Sequence, residues 1–76
     1  MTKTKIFLQA INDVKDFVTI VMRYDFDIDL VSGRYAVDAK SIMGIFSLDL
    51  SKPIDLNIHA EENVDDVLET LKPYMI

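Results

Sequence analysis

Asp25, Asp27 and Asp29 stand at alternate positions in "DFDIDL", the D-x-D-x-D spacing that opens a calcium-binding loop. Such a loop then needs a glycine at its sixth position for the sharp turn and a bidentate glutamate at its twelfth. Those places hold Leu30 and Ala36, so the three acids read as the solvated edge of a strand. His59 is the only histidine. It falls on the polar side of "PIDLNIHA", and no metal-ligating or catalytic partner is near it in sequence, so it reads as a surface residue. Ser32, Ser47 and Ser51 carry hydroxyls but lack a nucleophile elbow, and one imidazole is available to serve as base. The absence of cysteine removes thiolate chemistry, disulfides and cysteine metal sites. Two glycines, Gly33 and Gly44, form neither a phosphate loop nor a dinucleotide fingerprint. The residues therefore supply no catalytic constellation, and no metal or cofactor is expected.

The stretch "AKSIMGIFSLDL", residues 39–50, offers a different chemistry. Ser41 is a good helix N-cap, and a helical turn follows it. Ile45 and Leu48 are spaced to share one side of that turn, while Ile42, Met43 and Phe46 point largely elsewhere. A Met and a Phe together suit an adaptable protein contact. A phosphate on Ser41 would lie at a helix N-terminus, where backbone N–H groups and the helix dipole favour negative charge. The expectation is a partly exposed patch of Ile42, Met43 and Phe46 beside a switchable serine, with Ile45 and Leu48 buried.

The elements that position this stretch follow from periodicity. Residues 4–11 read as a strand with Ile6, Leu8 and Ala10 on one face. Asn12 or Asp13 is expected to cap a helix over 13–24, whose stripe is Val14, Phe17, Val18 and Val21. Residues 27–39 read as a hairpin: Ile28 and Leu30 alternate with acids, Ser32-Gly33 turns, and Tyr35 and Val37 alternate on the return. A short helix follows Ser41 and ends before Pro53. Ile54, Leu56 and Ile58 alternate against Asp55, Asn57 and His59 in the fourth strand. Asn63 is expected to cap the last helix, with Val64, Val67, Leu68, Leu71 and Met75 as its stripe. Asp65 and Asp66 lie where the dipole favours acids, and Pro73 weakens the last turn. The order β-α-β-β-α-β-α predicts an α+β fold, a four-stranded antiparallel sheet with three helices on one face.

The whole chain bounds these readings. Its 76 residues correspond to a single domain, 1–76. A chain this short buries about 60–65% of the surface its unfolded form exposes, so exposed apolar residues call for an explanation. Thirteen acidic against eight basic residues give a net charge of −5 and no basic stripe, which disfavours nucleic-acid binding. No window approaches the roughly 18 apolar residues of a membrane span, and the N-terminus lacks the apolar run of a signal peptide. A cytoplasmic location is expected. An open sheet face and an exposed strand edge give the domain routes to a weak homodimer as well as a monomer.

"KSIMGIFSLDL" resembles the regulatory-serine segment of HPr, the histidine-containing phosphocarrier of the bacterial sugar phosphotransferase system, where many Gram-positive members read K-S-I-M-G-V-M-S-L. The "DIDL…G" hairpin, the "DLNIHA" strand and the final helix also match that family's layout. The resemblance implies the HPr-like open-faced β-sandwich. It implies that Ser41 is the residue phosphorylated by HPr kinase. It implies that Ile42, Met43 and Phe46, with Lys40 as their basic neighbour, face enzyme I, the kinase and the catabolite control repressor. The chain departs from the family where the phosphoryl group is carried. In place of G-[IL]-H-A-R-P-A, the junction Ala10–Asp13 reads "AIND", without histidine, arginine or proline. In this it resembles the catabolite-repression paralogue Crh, which lost the histidine and kept the serine. The expected function is a regulatory binding module switched at Ser41. The alternatives are a carrier with an unorthodox acceptor such as Asp13, or a degenerate HPr-like domain whose partner lies outside sugar transport.

Overall fold

Ile28, Leu30, Ile54, Leu56 and Ile58 alternate with polar residues, so the two segments that carry them each present one apolar face. A computed structural model, describing residues 1–76, shows these segments as the inner strands of a sheet. They are β2 (Ile28–Ser32) and β4 (Ile54–Ile58), flanked by β1 (Thr2–Ile6) and β3 (Tyr35–Asp38). The strand order is β1-β4-β2-β3, and every neighbouring pair is antiparallel. Leu30 lies opposite Leu56 on one side and Val37 on the other, and Leu56 lies opposite Thr4, so one row of side chains crosses the sheet beneath the helices.

Three helices cover that face: α1 (Ile11–Val21), α2 (Ile42–Phe46) and α3 (Val64–Leu71), the last followed by a 3-10 turn, Lys72–Tyr74. Val14, Phe17, Val18 and Val21 of α1, Ile45 of α2, and Val67 and Leu71 of α3 join the strand residues in a core of sixteen buried side chains. All sixteen are hydrophobic, so the core holds no polar group in need of a partner. The opposite sheet face carries Lys3, Asp29, Asp38, Asp55 and Asn57. This is the α+β sheet-and-helix arrangement that the alternation predicts. No helix is long and apolar enough to cross a membrane.

Several boundaries differ from the sequence expectation. β1 stops at Ile6 rather than running to Ile11; Leu8 is buried, but Phe7 N–H bonds the Tyr74 carbonyl (2.8 Å) instead of a sheet strand, and Ala10 is exposed. α1 begins at Ile11 and ends at Val21, and its N-cap is Ala10, not Asn12 or Asp13. Ala10 has no oxygen to offer. Asp13 acts from within the first turn, its Oδ2 accepting from the N–H groups of Gln9 and Ala10, each at 3.2 Å. The hairpin loop is Gly33-Arg34, with Ser32 opposite Tyr35. Gly33 has φ +60° and Arg34 a negative φ, the type II′ pattern that suits the strand twist. Asn63 does precede α3, but in the left-handed region (φ 62°) and with no side-chain cap bond. Met75 lies beyond α3 and pairs with Ile6 in an isolated β-bridge.

Candidate functional site

Ser41 enters α2 with extended backbone (φ −102°, ψ 104°), which points its hydroxyl back over the first turn. Its Oγ accepts from the Gly44 N–H at 3.2 Å, and its carbonyl accepts from the Ile45 N–H at 3.1 Å. The Ser41 N–H is held by the Asp38 carbonyl at 3.0 Å. Ser41 is thus an N-cap, as its residue type predicts, and it remains exposed. Gly44 suits this fit. A Cβ there would lie 3.2 Å from Ser41 Oγ and 3.2 Å from Val37 Cβ, so glycine lets the helix rest on β3 and keeps the cap bond. Ser47 closes the other end, its hydroxyl donating to the Gly44 carbonyl at 2.6 Å.

The apolar residues of α2 divide as their spacing predicts. Ile45 is fully buried and Leu48 nearly so. Met43 is 77% exposed and Phe46 41% exposed, while Ile42 is half-buried against the core. Three and four positions apart on one helix, these residues share a surface one turn from Ser41. Lys40 sits differently from a free surface cation. Its Nζ donates to the carbonyls of Tyr24 (2.7 Å) and Phe26 (3.0 Å) in a half-buried setting. Nothing in the sequence indicates these partners, which lie sixteen and fourteen residues upstream.

The start of α1 has a different chemistry. Ile11 is 64% exposed and Asn12 is exposed, and the one charged group in this turn, Asp13, is engaged with two backbone N–H groups. The only imidazole lies on the far side of the sheet. His59 Nε2 is hydrogen-bonded to Asp29 Oδ1, and Asn57 Nδ2 donates to Asp29 Oδ2 at 3.2 Å. His59 is an exposed residue, as its place on the polar side of the strand predicts, and its partner comes from far along the chain: β2 and β4 run side by side and bring together two residues thirty positions apart. The groove beside this pair is lined by Asp27, Asp38, Ala36 and Val37. Asp25 and Asp27 are exposed in the approach to β2, and only Asp29 lies within it.

The family model described as "PTS HPr component phosphorylation site" matches residues 12–75. No curated protein sequence matches the chain. Among solved structures, the chain is similar to the phosphocarrier protein HPr from Bacillus anthracis str. Ames, with 27% identity and a TM-score of 0.74 over 99% of this chain and 96% of that one. It is also similar to HPr-C-His from Thermoanaerobacter tengcongensis, with 23% identity and a TM-score of 0.78 over 96% of this chain and 89% of that one. A mycoplasma histidine-containing phosphocarrier protein shares 11% identity and a TM-score of 0.75 over 95% and 89%. At 23% and 11% identity the likeness is one of fold alone.

Proposed function

The chain belongs to the PTS-HPr family, and from that membership we propose that it is a regulatory binding module switched at Ser41 rather than a phosphohistidine carrier. Members of the family are phosphocarriers of the phosphotransferase system and not enzymes. The observation that carries the narrower reading is the arrangement of α2: an exposed capping hydroxyl one turn from exposed Met43 and Phe46. A fold with sixteen buried residues gains nothing in stability from leaving two large apolar side chains in water. A partner that covers them does gain.

The switch is a phosphorylation by HPr kinase. Ser41 Oγ forms a bond to the γ-phosphorus of ATP, the bond to ADP breaks, and the hydroxyl proton leaves to a base on the kinase. The product carries about −1.5 to −2 charge at the rim of the patch, enough to admit one partner and exclude another. A catabolite-control-type regulator is the partner of the modified form, and enzyme I a competitor for the same surface. Ile42, Met43, Phe46 and the stem of Lys40 form the contact. The protein works in the cytoplasm.

Carriage on another acceptor is the second reading. Asp13 is the acid closest to the family's histidine position, but its Oδ2 already accepts two backbone N–H bonds and its charge repels an incoming phosphoryl group. The test is intact mass after two incubations. With HPr kinase and ATP, one phosphoryl group is expected, lost in Ser41→Ala. With enzyme I and phosphoenolpyruvate, none is expected. Acid-labile phosphate in the second incubation would overturn the regulatory reading in favour of a carrier.

A further inference from the structure

The carbonyl oxygens of Tyr24 and Phe26 accept no backbone N–H. Both belong to the segment 22–27 that joins α1 to β2. Their one protein donor is the Lys40 ammonium, at 2.7 and 3.0 Å. The backbone of Lys40 is itself fixed: its N–H donates to Asp38 Oδ1 at 2.9 Å, and the next N–H, that of Ser41, donates to the Asp38 carbonyl. One cation thus ties the connection between α1 and β2 to the residue beside the cap of α2.

Tyr24 and Phe26 of this segment pack against the core, and apart from Lys40 its hydrogen bonds lie at its two ends. Tyr24 N–H bonds the Val21 carbonyl, and the Tyr24 hydroxyl donates to Asp66 Oδ2 on α3 at 2.8 Å. At the other end the Asp27 carbonyl accepts from the His59 N–H at 2.9 Å. Between them Lys40 supplies the hydrogen bonds.

We propose that Lys40 is a charge-responsive staple: with Ser41 unmodified it holds the segment 22–27, and a phosphate on Ser41 draws the ammonium away and releases that segment. The proposal rests on the reading of Ser41 as the modified residue. Its physical basis is the difference between acceptors. An ammonium bonds an anionic phosphate oxygen more strongly than a neutral carbonyl. The phosphate would sit on the adjacent residue, and the flexible four-carbon stem of lysine can redirect its head without moving the backbone. The freed carbonyls turn to water. A modification at α2 is thereby transmitted to the far end of α1, where Tyr24 meets Asp66 and Thr70.

The experiment uses the full 76-residue chain, assembled by chemical ligation with phosphoserine at position 41, compared with the unmodified chain by NMR. The amides of Asp25 and Asp27 belong to the peptide groups whose carbonyls Lys40 contacts, so their shifts should move on phosphorylation. Exchange of the His59 amide, which reports the far anchor, should quicken about tenfold. Lys40→Met should reproduce both changes without phosphate, and phosphoserine in that variant should add no further change. Lys40→Arg keeps the charge and should keep the unmodified pattern, which separates loss of the staple from general damage. Unchanged Asp25 and Asp27 shifts in the phosphoserine chain would overturn the proposal, as would changes that persist in Lys40→Met on addition of phosphate. Failure of HPr kinase to modify Ser41 would overturn the functional reading and leave the result on the synthetic phosphoserine standing.

Discussion

At the start of α2 the capping oxygen belongs to a residue outside the helix, Ser41; at the start of α1 it belongs to a residue inside, Asp13. Both arrangements satisfy N–H groups that a helix start leaves without partners. They leave different chemistry at the surface. Ser41 ends as an exposed neutral hydroxyl whose oxygen accepts a single backbone N–H. Asp13 ends as a charged carboxylate already committed to two bonds, beside Ala10, Ile11 and Asn12, none of which can hold a phosphoryl group. The way a helix start is capped here decides which polar group it leaves at the surface.

The strongest challenge to this comparison is whether α2 separates packing from display. Ile45→Ala is expected to cost about 2–5 kcal/mol, since that side chain is fully buried. Met43→Ala is expected to cost within about 0.5 kcal/mol, and Phe46→Ala only modestly more. Urea melts of the three variants measure this. Equal losses in all three would make the patch part of the core and remove the basis for a docking surface.

A smaller effect sharpens the contrast between the two caps. Ser41→Ala and Asp13→Ala should each cost about 1 kcal/mol, while Ser41→Asp should fall within a few tenths of the parent because aspartate caps as well as serine. The same melts decide it. A Ser41→Ala variant as stable as the parent would mean that the 3.2 Å bond to Gly44 contributes nothing.

The finest effect is in the titration of Tyr74. Burial raises its phenol above the ordinary value, and the charges of Asp16 and then Asp13 push it further up. The folded state therefore holds this proton more tightly than the unfolded chain. The resulting stabilisation is complete below about pH 10 and is lost as pH rises through the folded value. Ultraviolet difference titration should show Tyr74 ionising above the ordinary range. Asp16→Asn should lower its midpoint, and Asp13→Asn should lower it less. A larger effect from Asp13→Asn would reverse that order.

Periodicity made the sheet legible, since Ile28, Leu30, Ile54, Leu56 and Ile58 alternate without interruption and all five are buried. The position of the α2 cap was legible because serine is a side chain that caps. The cap of α1 was not, because Ala10 has no capping group and the bonding oxygen lies three residues on, inside the helix. Asn63 holds the N-cap position its residue type predicts, but without a side-chain bond: asparagine favours both an N-cap bond and a left-handed backbone, and here the second prevails. The pairing of His59 with Asp29 and the hold of Lys40 on Tyr24 and Phe26 depend on segments made adjacent only by the finished sheet, so no local pattern announces them.

The strand order also fixes a sequence of events. β1 is the first strand to be made, yet its one sheet partner is β4, with Thr2 opposite Ile58 and Ile6 opposite Ile54. While a ribosome extends the chain, β1 can only wait, whereas β2 and β3 can close locally as a hairpin as soon as both exist. Closing the long loop between β1 and β4 is the slow, entropically expensive step. Until β4 emerges, Ile6 has no strand to pair with and Leu8 no finished core to enter. A nascent chain stalled before residue 54 should therefore expose them to chaperones and proteases, although its hairpin is already formed.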